Sequence, residues 1–159
     1  MKKIRNPFAG MEGFDCFGCC PDNPIGLKMT FVEDGDYLLS EWEPSVHYQG
    51  YVNILHGGIQ AVLMDEIASW TVYVKARTGG VTSSITVDYN KPVYVNKGPV
   101  KLAAKLLKLD GRIATVRVEL YNHDNIVASE ARVDYYIYPE DIARRRFYFP
   151  GHESFYFDS

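Results

Sequence analysis

The feature that most constrains the fold is a long apolar segment, residues 59–77, that contains neither proline nor glycine. Its larger apolar side chains recur every three or four residues, which is the spacing of one face of an α-helix. These side chains are Ile59, Val62, Leu63, Ile67, Trp70 and Val74. The opposite side is also rather apolar, and a helix that is apolar all round is buried on most sides. The pattern therefore predicts one long helix over 57–77, enclosed by the rest of the chain.

On both sides of this segment the apolar pattern changes to a period of two, which is typical of strands. Before the helix, we predict two strands joined by a hairpin turn at Asp34-Gly35. After it, four strand-like runs follow one another, and Asp110-Gly111 indicates a tight turn between the second and the third. Pro139 ends the last run, and a short helix can begin at Glu140. The predicted strands cover 26–31, 37–42, 85–89, 100–109, 112–121 and 127–138.

This order of elements contains no alternation of strand and helix, which argues against a doubly wound parallel sheet. The economical arrangement is an α+β fold in which one antiparallel sheet curves around one central helix. The chain has 159 residues, 47% of them hydrophobic, and this length fits one domain with one core. We expect an irregular N-terminal arm over 1–24, the domain over 25–139 and a C-terminal extension over 140–159.

The charge and the N-terminal residues bear on partners and location. The formal net charge of −3 gives no overall attraction to nucleic acid or to an anionic membrane. The basic start at Lys2 and Lys3 leads to Pro7 and not to the apolar core of a signal peptide, and no apolar run reaches the length of a membrane span. We therefore expect a cytoplasmic protein with no nucleic acid and no membrane as partner.

The three cysteines of the chain, Cys16, Cys19 and Cys20, lie together in the arm. An odd number within one short stretch is a poor basis for disulfides. Cys16 and Cys19 have the spacing of half a zinc site, and His47 or His56 would have to complete the site in space. Because the spacing does not supply the other half, the sequence favours a packed, thiol-rich loop and predicts no metal ligand.

The residues that point to chemistry lie where the long helix begins. His56-Gly57-Gly58 precedes the helix directly, and the first N–H groups of a helix have no partner within it. Together with the helix dipole, these groups can stabilise a developing oxyanion. Asp65 lies about two turns further along in an apolar run, where a carboxylate is costly unless it has a partner or a task. Taken alone, a solvated stripe or a salt bridge between subunits is the favoured interpretation of Asp65.

The motifs together are more specific. His56-Gly57-Gly58 followed by Asp65 resembles the signature of hotdog-fold thioesterases of the phenylacetate-degradation type, within the 4-hydroxybenzoyl-CoA thioesterase superfamily. Two further segments also resemble this family. They are Cys16-Phe17-Gly18-Cys19-Cys20 with Asn23-Pro24-Ile25-Gly26-Leu27, where the family often has glycine in place of Cys20, and residues 82–89 before Lys91-Pro92. The three segments occur in order, and the resemblance as a whole covers residues 16–138.

The resemblance implies a hotdog fold and the hydrolysis of a fatty or aromatic acyl-CoA without a metal or an organic cofactor. Asp65 matches the position that acts as general base on water or attacks the thioester carbon directly. Gly58, or Gly57, matches the backbone N–H that polarises the carbonyl. His56 matches a histidine that shapes the loop or contacts the substrate.

Three more residues are candidates by the same resemblance. Asn53 offers a polar side chain from the loop before the helix. Thr82 matches a hydroxyl that holds the water, and its neighbour Ser83 takes that role if the match is displaced by one residue.

The resemblance further implies a homodimer or homotetramer whose active site lies between two subunits, with Asp65 of one facing the helix start of the other. His56 and Asp65 are nine residues apart, and at about 100° per residue they fall on opposite faces of a helix. One subunit would therefore not bring both to the same substrate.

Two other functions stay open. A hotdog hydroxyacyl-thioester dehydratase needs a histidine paired with an acid, and the glycine turn at His56 suits carbonyl polarisation better. A non-catalytic acyl-CoA-binding module gains nothing from Asp65. The run Arg144-Arg145-Arg146 is favoured as a solvated charge run over a site for coenzyme A phosphates, and the aromatic residues after it pack on the arm, on another subunit or against the acyl group.

Overall fold

The computed structural model describes residues 1–158, which form one antiparallel sheet of seven strands around a central helix. The strands lie side by side in the order β1-β2-β3-β5-β6-β7-β4. Their bounds are β1 (Lys2–Lys3), β2 (Val32–Asp34), β3 (Tyr37–Trp42), β4 (Gly80–Tyr89), β5 (Val100–Asp110), β6 (Ile113–Tyr121) and β7 (Val127–Ile137). The predicted α+β architecture, a sheet curved around one helix, is confirmed.

The central helix α1 runs over Gly57–Thr71 and continues as a π-helical turn over Val72–Ala76. It ends at Arg77, whose left-handed conformation, with φ of 56°, stops the helix. Buried α1 side chains on several sides meet the sheet, the arm and the C-terminal extension, among them Leu63, Met64, Ile67, Ala68 and Trp70. No helix within residues 1–158 is long and apolar enough to cross a membrane.

One predicted element is wrong, because residues 26–31 form no strand. Leu27 and Met29 do alternate inward and are buried, as their spacing predicted. Their backbone N–H groups, however, donate to carbonyls of the N-terminal arm and not to a neighbouring strand. Lys28 between them adopts a positive φ of 55°, which interrupts an extended backbone. The sheet therefore begins on this side with β2.

Hairpins form at both predicted turns, the first with β2 in place of the strand predicted over 26–31, and both turns lie one residue later than expected. Asp34 and Asp110 are the last residues of their strands, so Gly35 and Gly111 come first in the two-residue turns. These glycines have φ of 57° and 58°. A positive φ at the first turn position is the requirement of a type II′ turn, which favours glycine there.

The C-terminal extension packs against the arm and the second half of the helix. Phe149 and Phe155 are buried. The rings of Phe155 and Trp70 pack edge to face, with 5.6 Å between their centroids. Phe8 of the arm joins the same aromatic cluster at 6.0 Å from Phe155. The aromatic residues of the extension therefore fasten the two ends of the chain to α1.

The short helix α2, Glu140–Phe147, carries the arginine run. Arg144 pairs with Glu140 and Arg145 with Asp141, one helical turn apart and exposed to solvent. This is the solvated charge run that the sequence favoured.

Strand β4 lies at the edge of the sheet and is bonded only to β7 among the described residues. Its first residue, Gly80, faces Ile137 so closely that a Cβ atom there would meet the backbone oxygen of Tyr136 at 2.4 Å. At Gly79 a Cβ would meet its nearest neighbour, the ring of Tyr73, at an ordinary 3.5 Å. Close approach at one of two adjacent glycines thus fixes where β4 joins the sheet.

We predict that Gly80→Ala lowers the free energy of unfolding by about 1–3 kcal/mol, the usual cost of overpacking. Gly79→Ala is the matched control and should be neutral or slightly stabilising, because alanine restricts the unfolded chain. Urea denaturation followed by circular dichroism measures both. Equal stability of the two variants would contradict the close approach.

Candidate active site

The candidate site is built around the carboxylate of Asp65, on the third turn of α1. The hydroxyl of Thr82 on β4 donates a hydrogen bond to Oδ1 of Asp65 at 2.9 Å. The hydroxyl of Tyr135 on β7 lies 2.5 Å from the same oxygen. Oδ2 has no hydrogen-bond partner among residues 1–158, and the side chain is half-buried. One carboxylate oxygen is therefore held by hydroxyls and the other is open to a water or a substrate.

A β-bulge explains why Thr82, and not Ser83, reaches Asp65. Thr82 pairs with Tyr135 and Ser84 pairs with Asp134, so Ser83 is an extra residue in β4. A bulge of this kind redirects the side chains on either side of it. The Ser83 hydroxyl donates to the backbone oxygen of Asp134 at 3.0 Å and lies outside the Asp65 cluster.

Tyr135 is a site residue that the sequence analysis missed. Its side chain is 1% exposed, and its hydroxyl also lies 2.6 Å from the backbone oxygen of Asp65. Burial, and next the charge of Asp65, raise the pKa of the phenol well above its usual value. Tyr135 therefore stays protonated and remains a hydrogen-bond donor. The sequence did contain one indication of Tyr135. It follows Ala131 and Val133 at a spacing of two residues, so it lies on the same inward face of β7.

The start of α1 forms the second part of the candidate site. His56 caps the helix, and its Nδ1 accepts a hydrogen bond from the backbone N–H of Gly58 at 2.8 Å. Because Nδ1 accepts, the proton of the neutral ring is on Nε2. The N–H of Gly58 is thus engaged within the chain, whereas that of Gly57 has no acceptor among the described residues. Of the two predicted oxyanion donors, Gly57 is the one left available.

The loop before α1 shapes a small cavity at this helix start. The cavity measures about 350 Å³ and is lined by Gly50, Tyr51, Ile54, Leu55, His56 and Gly57. Asn53 adopts a positive φ of 64°, and its N–H and carbonyl bond to Gln49 and to Val95. These backbone bonds give Asn53 a role in shaping the loop, and its side chain is exposed.

The two parts of the site lie at different positions along the helix. Gly57 and Asp65 are eight residues apart, which corresponds to about 12 Å along the axis. Reacting groups must come within about 3–3.5 Å of each other. The structure therefore brings Asp65 together with Thr82, and His56 together with Gly57 and Gly58, but it does not bring these two groups together within one chain.

A second, larger cavity lies away from these residues. It measures about 960 Å³ and lies between β1, the end of α1 and the C-terminal extension, lined by Lys2, Lys3, Glu33, Val74, Lys75, Arg77, His152, Glu153, Tyr156, Phe157 and Asp158. Its charges are mixed, and Lys75 is paired with Glu33. Since it contains no residue of either part of the site, its size alone does not make it the place of the chemistry.

Comparison with known proteins gives the family context. A family model of the thioesterase superfamily matches residues 52–129, a range that contains Asn53, His56, Asp65 and Thr82. TV1331, a presumed esterase of Thermoplasma volcanium, is 23% identical over 128 residues, which cover 70% of this chain and 94% of that protein.

Solved structures share the fold. Protein RHA08564, a thioesterase superfamily protein, superposes with a TM-score of 0.70 at 21% identity over 76% of this chain, which spans only 59% of that one. Thioesterase HI1161 of Haemophilus influenzae gives 0.63 at 18% identity, covering 70% of this chain and 79% of that one. Thioesterase superfamily member 2 of Mus musculus superposes with a TM-score of 0.62 at 22% identity, covering 69% of this chain and 82% of that one. The family model thus covers 78 of the 159 residues, and the chain shares the hotdog fold of these thioesterase structures.

Proposed function

We propose that this protein is an acyl-CoA thioesterase in which Asp65 is the general base or the nucleophile. The match to the thioesterase superfamily model supports hydrolysis of thioesters in general. The observation that carries the proposal is the carboxylate of Asp65, held at one oxygen by two hydroxyls and open at the other. Placing a carboxylate on a largely buried helix costs free energy. The open oxygen of Asp65 can accept a proton or attack the thioester carbon, which gives the carboxylate a role there.

The geometry supports a simple reaction. Oδ2 of Asp65 removes a proton from water, and the water oxygen attacks the thioester carbon. The carbonyl oxygen becomes an oxyanion, which the N–H of Gly57 and the positive end of α1 stabilise. The intermediate collapses with cleavage of the C–S bond, and the proton passes to the leaving coenzyme A thiolate. Thr82 and Tyr135 keep Asp65 in the orientation for this transfer.

Since one chain separates the two parts of the site by about 12 Å, a second copy has to complete it. Strand β4 is suited to this role because it is a ten-residue edge strand that is exposed along most of its length. Val81 is 43%, Ile85 38% and Tyr89 51% exposed. A long exposed edge with apolar side chains is covered in a stable protein, and a second β4 strand covers it best.

The two ends of β4 explain how such a dimer completes the site. Thr82 contacts Asp65, and the Tyr89 hydroxyl donates to the carbonyl of Gly57 at 2.6 Å, so β4 runs antiparallel to α1. In a two-fold antiparallel pair centred between residues 85 and 86, residues equally far from the centre face each other. Position 82 then faces position 89 of the second copy, and each Asp65 faces the other copy's helix start.

The rival functions fit the contacts less well. A dehydratase needs an imidazole nitrogen that accepts a proton from the reacting carbons, whereas Nδ1 of His56 accepts from Gly58 and leaves the ring proton on Nε2. A non-catalytic acyl-CoA-binding module gives no reason for the open oxygen of Asp65. The choice of acyl group is best made by a hydrolysis screen over short, long and aromatic acyl-CoAs.

Asp65→Asn should lower kcat at least about 100-fold with the substrate that the screen finds best, because the amide cannot accept the proton. KM should change little, since the side chain keeps its shape. Glu41→Gln, which removes one exposed carboxylate elsewhere, is the control and should retain wild-type activity. Hydrolysis by Asp65→Asn within a few-fold of wild type would remove Asp65 from the mechanism.

Thr82→Ala should lower kcat roughly tenfold to a hundredfold with KM nearly unchanged, because a lost orienting hydroxyl acts mainly in the transition state. Tyr135→Phe should lower kcat in the same direction, since it removes the second hydroxyl from Oδ1. Thr82→Ser keeps the oxygen and should retain most activity. If kcat instead collapses in Ser83→Ala and is untouched in Thr82→Ala, the bulge assignment does not hold.

Light scattering should give a mass two or four times the 18.1 kDa of one chain. Ile85→Lys places a charge at the centre of the β4 edge and should reduce both the mass and kcat while the fold is kept. Ile25→Lys, at a position 72% exposed directly after the arm, is the matched control and should change neither. A monomer with full activity would overturn the shared site.

A further inference from the structure

Cys16, Cys19 and Glu66 form a cluster that the proposed reaction does not use. The two cysteine sulfurs and a carboxylate oxygen of Glu66 all lie within 4.8 Å of one another. The cysteines belong to the arm and Glu66 to α1, 50 residues beyond Cys16. The sequence offered two ligands of a zinc site and favoured a metal-free loop, whereas the fold adds a third ligand atom that spacing could not identify.

The distances fit a shared metal ion. Two ligands bound to zinc at about 2.3 Å for sulfur and about 2.1 Å for oxygen, at a tetrahedral angle, lie about 3.6 Å apart. The sulfur of Cys16 lies 3.5 Å from Oε1 and 3.7 Å from Oε2 of Glu66. An S–H···O hydrogen bond has the same length as the separation of two zinc ligands, so the distance alone fits either arrangement. The chemical nature of the three side chains and their surroundings has to distinguish a metal site from a hydrogen bond.

The loop that carries the cysteines is built to approach Glu66 closely. The N–H of Cys20 donates to the carbonyl of Cys16 at 3.0 Å, which closes a tight turn around Gly18. A Cβ atom on Gly18 would meet Cδ of Glu66 at 2.4 Å. Glycine at this position therefore lets both sulfurs reach the carboxylate.

Glu66 is a half-buried carboxylate without a cation. Within residues 1–158 no lysine, arginine or histidine nitrogen lies within 4.0 Å of it. Its Oε1 accepts a hydrogen bond from Nε1 of Trp70 at 3.0 Å. Carboxylates that bind metals are oriented by bonds of this kind, and a buried anion that has no counter-charge is unfavourable. A positive ion at the cluster would supply the missing charge.

We propose that Cys16, Cys19 and Glu66 bind a thiol-preferring divalent cation, zinc, which ties the N-terminal arm to α1. Thiolate ligands select zinc over magnesium and calcium, which prefer oxygen alone. Three protein ligands leave a fourth position for water, and Cys16 is partly exposed. The site fastens the arm to α1 and does not depend on the proposed hydrolysis.

The full chain, purified under reducing conditions, should contain about one zinc per chain by elemental analysis. After removal of metal with a chelator, added Co²⁺ should produce the thiolate-to-cobalt charge-transfer absorption in the near ultraviolet. Cys16→Ser and Cys19→Ser should lose this band, and Glu66→Gln should weaken Co²⁺ binding at least about tenfold. Zinc should raise the Tm of the wild type.

Cys20→Ser is the matched control within the same loop. Its sulfur lies 3.5 Å from the carbonyl of Phe14 and outside the cluster, so this variant should bind metal as the wild type does. Circular dichroism checks the fold of each variant, and Glu66→Gln gives the answer if the cysteine variants do not fold. Three titratable thiols with no metal uptake, or a Cys16–Cys19 disulfide whose reduction restores no uptake, would overturn the proposal.

Discussion

The sheet encloses α1, and this enclosure means that each polar group on the helix needs a hydrogen-bond partner. Leu63, Met64 and Ile67 are fully buried, and burial of side chains of this size contributes about 1.5–3 kcal/mol each. The same enclosure makes a carboxylate on this helix unfavourable unless it is hydrogen-bonded. Asp65 meets that condition through the hydroxyl groups of Thr82 and Tyr135, which fix the position of its side chain.

The helix also separates the groups that the proposed reaction needs. The oxyanion donor has to be at the helix start, where N–H groups lack partners, and the base has to be where the sheet offers hydroxyls. These requirements are met about 12 Å apart in one chain. The edge of β4, unpaired among residues 1–158, runs between the two places, which is why the proposed dimer joins the two parts of the site through this strand.

Much of the fold follows from periodicity. The helix and the strand over Tyr37–Trp42 could be predicted because their side chains alternate with the period of the element that they form. Residues 26–31 show where this fails, since Leu27 and Met29 alternate as in a strand but bond to the arm. Periodicity reports which side chains are buried, whereas the partner of the backbone depends on the rest of the fold.

The sequence predicted some residues of the candidate site but not others. Asp65 and His56 became candidates because His56-Gly57-Gly58 followed by Asp65 resembles a family signature. Taken alone, the carboxylate in an apolar helix favoured a solvated stripe or a salt bridge. Tyr135 could not be predicted, because its contact with Asp65 joins residues 70 positions apart. Thr82 could not be distinguished from Ser83, because a bulge of one residue decides which hydroxyl faces the helix.

Asp65 and Glu66 lie on the same turn of α1 but contact different parts of the chain. Adjacent residues point about 100° apart on a helix, so one carboxylate faces the edge of the sheet and the other faces the arm. Glu66 contacts Cys16 and Trp70, and Trp70 in turn packs on Phe155 of the C-terminal extension. Whatever fastens the arm at Glu66 therefore restrains the turn that carries Asp65. The proposed base has to keep its orientation within a fraction of an ångström, so a rigid turn favours the proposed reaction and links the cysteine loop to the candidate site without giving it a step.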